Sequence, residues 1–88
     1  MIYRRSNWYV YVVRCSDASL YTGITKDITR RMDEHNCSDQ SGASYTRNRR
    51  PVKLVYQEAC ATRSDAAKRE YVIKQMSRQE KETLFCED

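Results

Sequence analysis

The residues best suited to chemistry in this 88-residue chain are two tyrosines and an arginine at regular spacing. Tyr11 and Tyr21 lie ten residues apart inside two β-like runs, Trp8–Val13 and Leu20–Thr25, and Arg31 follows ten residues later on a helical pattern. Two paired strands and the next helix would bring both phenols and the guanidinium group into one small space. Because phenols exchange protons and guanidinium groups bind phosphate, this spacing predicts phosphodiester chemistry.

The segments around these residues resemble the GIY-YIG nuclease domain, especially its short stand-alone bacterial subgroup. The resemblance runs from about Trp8 to Leu84 and lies in two motifs followed by three single residues in the expected order: Tyr9-Val10-Tyr11, Tyr21-Thr22-Gly23, Arg31, His35 and Glu70. The chain departs from the family pattern in having Tyr9 where the family has glycine and Thr22 where it has isoleucine. No asparagine follows Glu70, although many family members have one there.

Length and composition are those of one small globular domain. With 40% hydrophobic and 32% charged residues, the chain is too apolar to be disordered. We predict a single domain over residues 1–88 with its core at about 8–85. No stretch approaches the roughly 20 apolar residues that span a bilayer, and Arg14 and Asp17 interrupt the first apolar run before it reaches signal-peptide length. We therefore expect a cytoplasmic protein that does not contact a membrane.

The cysteines are spread along the chain, at Cys15, Cys37, Cys60 and Cys86. They form no C-x-x-C pair and the chain has one histidine, so their spacing does not indicate a zinc site. Without a secretory signal, free thiols are favoured over two disulfides.

Positive charge is concentrated in one window of the sequence. Residues 40–57 contain no acid but four cations, Arg47, Arg49, Arg50 and Lys53. Together with Tyr45, this window is suited to phosphate contact and base stacking, which predicts a nucleic-acid interface. Lys26, just after the second motif, could also contact phosphate. The alternative is a solvated loop beside a basic strand edge that discourages aggregation.

Periodicity predicts a small α/β protein of the α+β type, in which a three-stranded antiparallel sheet packs with helices in the order ββαβαα. The first strand, 8–14, is apolar on both alternating faces and should be central, and a turn at 16–19 makes a hairpin with the second strand at 20–25. Asp27 caps a helix to about Asn36, and Pro51 precedes a third strand at 52–58. A second helix runs to about Met76, and the capping-box sequence 77–80 opens a third helix that ends near Phe85.

The first helix places its two adjacent arginines differently. At 100° per residue, Arg31 falls about 60° from the apolar Ile28, whereas Arg30 points roughly the opposite way. At the edge of a buried face, Arg31 needs an anionic partner, which is either a protein carboxylate or a substrate phosphate. His35 lies about 40° from Arg31 on the same side, where it is either a satisfied core residue or a group that orients water or phosphate.

Glu70 is the carboxylate of interest on the second helix, close to the apolar residues Ala66 and Ile73. From sequence alone it is either a salt-bridge partner of Lys74 or Arg69, or a ligand of a hard divalent cation. The resemblance favours the second reading, because the matching glutamate of the family binds metal.

The resemblance implies hydrolysis of DNA through a water nucleophile with Mg²⁺ (or Mn²⁺) bound by Glu70. Tyr11 would relay the proton of the water while Tyr21 orients it or shares the role. Arg31 would neutralise the phosphate with help from His35.

Family nucleases usually gain their target from an attached domain, and we expect none here, so intrinsic sequence specificity should be low or supplied by a protein partner. The substrate could be branched or single-stranded DNA. The alternative is a non-catalytic nucleic-acid-binding module that keeps the fold, which the altered motifs favour. A domain for protein interaction, charged only for solubility, is the third option.

Overall fold

The computed structural model describes residues 8–37, 46 and 48–85. Across these residues, strands β1 (Trp8–Arg14) and β2 (Leu20–Thr25) are followed by helix α1 (Ile28–Cys37) and strand β3 (Lys53–Cys60). Helices α2 (Arg63–Lys74) and α3 (Arg78–Phe85) complete the chain. The predicted α+β fold with the order ββαβαα is therefore confirmed.

The three strands form one antiparallel sheet in the order β2-β1-β3. The prediction that β1 is central is confirmed, and Val10, Val12 and Val13 of this strand are all fully buried. A central strand needs apolar side chains on both faces, because it is covered by other elements on both sides. The register between β1 and β3 shifts between Val12 and Val13.

Side-chain caps start the last two helices. The Thr62 hydroxyl accepts a hydrogen bond from the Asp65 backbone N–H at 3.0 Å, directly before α2. Before α3, the Ser77 hydroxyl accepts from the Glu80 N–H at 3.1 Å and the Glu80 carboxylate accepts from the Ser77 N–H at 2.9 Å. This reciprocal pair is the predicted capping box.

Two element boundaries differ from the predicted ones. Strand β3 covers Lys53–Cys60 rather than 52–58, because its pairing with β1 continues until Cys60 lies opposite Trp8. Helix α2 ends at Lys74 rather than near Met76. There the Met76 N–H bonds the carbonyl of Ile73 at 3.0 Å, a shorter turn that satisfies one terminal carbonyl as the helix closes.

The two faces of the sheet carry different cores. We call the side under α2 and α3 the apolar face; its buried residues are Val10, Val12, Ala66 and Ile73. We call the side under α1 the tyrosine face; its buried cluster is Tyr11, Val13, Cys15 and Val52, with Ile28 and Met32 of α1 packed against it. Because successive strand residues point to opposite faces, β1 contributes to both cores.

Two sequence expectations concern the surroundings of the chain. Within the described ranges, no helix is both long enough and apolar enough to cross a membrane. Cys15, Cys37 and Cys60 are free thiols, as predicted. Cys86 lies outside the described residues.

Candidate active site

The centre of the candidate site is the Tyr11 phenol on the tyrosine face. Tyr11 stands opposite Gly23 of β2, and the side chain of Tyr11 is almost fully buried. A Cβ atom at Gly23 would lie 2.5 Å from Tyr11 Oη and 2.7 Å from Tyr11 Cζ. Any larger residue at this position would therefore displace the phenol. The close approach at Gly23 is made by the ring of Tyr11.

His35 of α1 is fully buried beside this phenol, and both of its ring nitrogens have partners. Nε2 lies 2.8 Å from Tyr11 Oη, and Nδ1 lies 2.8 Å from Thr46 Oγ1. The ring of Tyr21 packs edge-on against the imidazole at a centroid distance of 5.5 Å. Both motif tyrosines and the histidine are thus brought together, as their spacing predicted.

Arg31 lies at the edge of the same cluster. Its Nε donates to Tyr11 Oη at 3.4 Å, and its Nη1 donates to Glu34 Oε1 at 2.8 Å. The Arg31 side chain is 22% exposed, whereas that of Arg30 is 63% exposed, so the helical phase inferred from the sequence is right. The anionic partner that Arg31 requires is, in this structure, the carboxylate of Glu34.

Burial sets the protonation states of this cluster. It raises the pKa of Tyr11 to about 12, although the hydrogen bond and charge of Arg31 oppose the shift. Burial, reinforced by the charge of Arg31, lowers the pKa of His35 to about 4. At neutral pH the phenol therefore keeps its proton and the imidazole is uncharged.

The donors and acceptors then fall into one consistent arrangement. Because Arg31 donates to the phenol oxygen of Tyr11, the phenol hydrogen is directed to His35 Nε2, which accepts it. Neutral imidazole carries its hydrogen on the other nitrogen, so Nδ1 donates to Thr46 Oγ1. Thr46 was not predicted as a site residue. It lies in the window that predicts a nucleic-acid interface, but its contact with His35 joins segments that are separate in sequence.

Glu70 of α2 belongs to the same electrostatic environment. Its negative charge contributes to the raised pKa of Tyr11. Its Oε2 also lies 3.1 Å from Lys74 Nζ, so the salt bridge considered from the sequence is formed, whereas Arg69 pairs with Glu58 instead. The direct contact of Glu70 is with Lys74, and its effect on Tyr11 is that of a nearby charge.

The surroundings of Glu70 fit a Mg²⁺ site with a single protein ligand. Among the described residues, no three His, Cys, Asp or Glu side chains cluster as they would in a site built from protein ligands alone. Mg²⁺ usually keeps several waters and takes one or two carboxylates, and the Glu70 side chain is 24% exposed, which leaves room for that water.

The structure places the described phosphate-binding cations of the prediction in four different positions. Arg50 donates from Nε to the backbone carbonyl of His35, beside the site. Arg49 bonds Asp17 in the β1–β2 turn at 3.0 Å, and Lys26 lies 5.7 Å from the Trp8 ring. Lys53 is exposed on β3, while Tyr45 and Arg47 lie outside the described residues. Their contact with nucleic acid stays a prediction.

The chain combines buried acid-base groups beside a guanidinium with a three-stranded sheet flanked by helices. Residues 7–83 match the family described as the GIY-YIG catalytic domain. The chain belongs to this family, which confirms the resemblance of its motifs.

Short bacterial proteins are close relatives of the chain. It is 60% identical over 80 residues to a UPF0213 protein of Desulfotalea psychrophila, covering 91% of this chain and 72% of that protein. It is 56% identical over 79 residues to a UPF0213 protein of Staphylococcus saprophyticus, covering 90% and 94% respectively.

Two solution NMR structures are similar to the whole fold. A UPF0213 protein of Bacillus halodurans is 43% identical with a TM-score of 0.55, over 88% of this chain and 80% of that one. A protein of E. faecalis is 39% identical with a TM-score of 0.58, over 96% and 88%.

Proposed function

We propose that this chain hydrolyses phosphodiester bonds in DNA, with water as the nucleophile and Mg²⁺ or Mn²⁺ as the cofactor. The observation that carries the proposal is the cluster of Tyr11, His35 and Arg31, in which a buried phenol contacts an uncharged imidazole at 2.8 Å and a guanidinium at 3.4 Å. Membership of a catalytic-domain family supports it.

The phenol and the imidazole form a two-step proton path. Tyr11 is a poor base by itself, because burial raises its pKa to about 12. It can accept a proton from water if it passes its own proton to His35 Nε2 at the same time. Thr46 positions the ring through Nδ1, and when Nδ1 carries the hydrogen, Nε2 is available to accept. Tyr21, against the imidazole edge, keeps the ring in place and is suited to orient the water.

Arg31 is the phosphate-binding group of this mechanism. A bound phosphate would compete with Glu34 for the guanidinium and share its positive charge. Arg31 lowers the pKa of His35, so neutralising its charge would raise that pKa and make His35 a better proton acceptor. Substrate binding would thereby prepare the base as well as place the phosphorus atom.

Glu70 is the residue that would hold the divalent cation. When bound, Mg²⁺ supplies positive charge that offsets the negative charge gained by the phosphate oxygens during the reaction. The role of the chain is to present one hard, anionic oxygen ligand near Tyr11, and Lys74 would have to share or release that carboxylate.

The predicted DNA-binding set consists of five cations and one tyrosine. Arg50 is the best placed, because its guanidinium bonds the backbone of the catalytic histidine. A DNA backbone reaching Arg31 would pass close to it. The full predicted set is Lys26, Tyr45, Arg47, Arg49, Arg50 and Lys53. The substrate form, including branched or single-stranded DNA, and a targeting protein partner belong to the same proposal.

The second candidate is a DNA-binding module without catalysis. The paired state of Arg31 with Glu34 and of Glu70 with Lys74 favours it, since both groups already have protein partners of opposite charge. A cleavage assay separates the two. Purified protein is incubated with duplex, branched and single-stranded DNA in the presence of Mg²⁺, Mn²⁺ or EDTA. Cutting that EDTA abolishes supports the enzyme, whereas retention of DNA without cutting supports the binding module.

A further inference from the structure

A cavity of about 410 Å³ opens on the tyrosine face beside the candidate site, lined by Tyr9, Lys26, Asp27, Ile28, Thr29 and Gln57. Its volume is within the range of small-molecule pockets. Gln57 stands directly opposite Tyr11 in the sheet. Tyr9 precedes Tyr11 by two residues on β1, which places the two side chains on one face about 7 Å apart. The cavity therefore lies on the face of the sheet that carries Tyr11.

The lining of this cavity suits a flat, uncharged ring. Tyr9 offers an aromatic surface, and Ile28 adds an apolar contact. The amide of Gln57 and the carboxylate of Asp27 can bond the polar edge of a base. A phosphate group inside the cavity would meet the negative charge of Asp27, whereas an exocyclic amino group would find an acceptor. The cation of Lys26 at the same cavity is suited to the backbone phosphate of the nucleotide.

We infer that this cavity binds the unpaired base of a nucleotide next to the phosphate that is cut. The inference rests on the proposed function and specifies its substrate: a DNA strand that is unpaired beside the scissile bond. In a continuous duplex the base is stacked and paired inside the helix, so it reaches such a cavity only at the cost of unstacking. Tyr9, which replaces the family glycine, is then a specificity residue of this chain.

The test compares the binding of two single strands with equal numbers of phosphates in the presence of EDTA. One is a short labelled oligodeoxycytidine, whose bases have an exocyclic amino group, and the other is the same deoxyribose-phosphate strand without bases. Fluorescence anisotropy measures both affinities for the wild type and for Tyr9→Leu, which removes the aromatic ring. Tyr9→Phe restores the ring, and Tyr56→Leu is the matched control, because Tyr56 packs on the apolar face. Thr29→Leu narrows the cavity from an exposed position and serves if Tyr9→Leu does not fold.

Wild type should prefer the strand with bases by roughly tenfold or more, the usual effect of stacking one base on an aromatic side chain. Tyr9→Leu and Thr29→Leu should lose most of this preference, while Tyr9→Phe and Tyr56→Leu keep it. Equal binding of both strands by wild type would overturn the base pocket and leave the proposed function standing. So would a preference that survives in Tyr9→Leu, or in Thr29→Leu if Tyr9→Leu does not fold. Binding of neither strand would overturn the base pocket, and the cleavage assay on duplex and branched DNA would then decide the proposed function separately.

Discussion

The two faces of the sheet use β1 in opposite ways. On the apolar face, Val10 and Val12 pack against the buried Ala66 and Ile73 with no side-chain hydrogen bond of their own. On the tyrosine face, the residue between those valines is Tyr11, whose hydroxyl group is buried with an imidazole and a guanidinium as partners. One strand therefore contributes to a purely apolar core and to a polar cluster, according to the parity of the residue.

The comparison separates the residues that stabilise the sheet from those suited to proton transfer. Burying a polar group costs free energy unless the group has a hydrogen-bond partner. An apolar core therefore stabilises a small sheet with fewer requirements on its neighbours. The tyrosine face nevertheless buries Tyr11, His35 and Thr46, all of them hydrogen-bonded. A buried hydrogen-bond network beside a cation is expected where a protein performs proton transfer. The apolar face has the one described side-chain polar atom that is buried without a hydrogen bond, Thr22 Oγ1.

The largest expected effect concerns the cation of the tyrosine face. Arg31→Ala should lower DNA cleavage by about 10²–10³-fold, because it removes a charged donor at the developing negative charge. Arg30→Ala is the matched control on the same helix, and it should change cleavage little because its side chain is 63% exposed. Single-turnover rates measure the effect, and circular dichroism verifies folding. Equal losses in the two variants would contradict the assignment of Arg31 to the site.

Glu70 tests whether a helix of the apolar face also contributes to the site. Glu70→Gln should reduce Mg²⁺-dependent cleavage by roughly 10²-fold, since it removes the anionic oxygen that a hard cation requires. Lys74→Gln breaks the same salt bridge but keeps the carboxylate, and it should leave cleavage within a few-fold of wild type. Parallel Mg²⁺ titrations of the rate distinguish the two variants. If both behave alike, Glu70 is only the partner of Lys74.

The cost of the buried histidine should be visible in the pH dependence of stability. His35 has a pKa of about 4 in the fold and about 6.5 in the unfolded chain. Between these pH values the unfolded state binds more protons than the folded state, so the free energy of unfolding falls as the pH falls from about 6.5 to about 4. Above this window the contribution of neutral His35 is complete. The loss should reach about 3 kcal/mol.

Urea unfolding at a series of pH values measures this dependence. The variant His35→Gln should lack this part of the slope, whatever its stability at neutral pH, and the difference between the two curves removes the contribution of the carboxylates. Superimposable slopes in wild type and variant would show that His35 is not buried in its neutral form.

The smallest effect concerns the exception on the apolar face. Thr22 stands opposite Val12, and its hydroxyl group is buried without a partner. Thr22→Val keeps the shape and removes the unsatisfied group, so it should raise the free energy of unfolding by about 1 kcal/mol and leave cleavage unchanged. Thermal and urea unfolding measure the gain. A loss of stability would mean that this hydroxyl group has a partner in solution.

Local chemistry accounts for the part of the fold that could be predicted. The alternation in β1 and the Ser77–Glu80 capping box each depend on residues close together in sequence, and both are confirmed. The inward position of Arg31 likewise follows from the helical period alone.

Long-range contacts account for the part that could not. The window without acids suggested cations available to phosphate, yet Arg49 pairs with Asp17, which lies 32 residues earlier in the chain. Thr46 and His35 are likewise 11 residues apart in sequence, and no periodicity relates them. A charge window or a periodicity is a property of neighbours in sequence, so it carries no information about a partner that only folding brings close.

The variant Tyr11→Phe tests whether the Tyr11 hydroxyl group moves the proton of the attacking water. Phenylalanine fills the same space opposite Gly23 and lacks only the oxygen that contacts His35 and Arg31. Tyr56→Phe removes a phenol oxygen on the apolar face, where it bonds Glu58, and is the matched control.

Single-turnover cleavage of DNA with saturating Mg²⁺ should fall by about 10²–10⁴-fold in Tyr11→Phe, with DNA binding retained, and stay near the wild-type rate in Tyr56→Phe. Cleavage by Tyr11→Phe at the wild-type rate would show that the Tyr11 hydroxyl group does not transfer this proton.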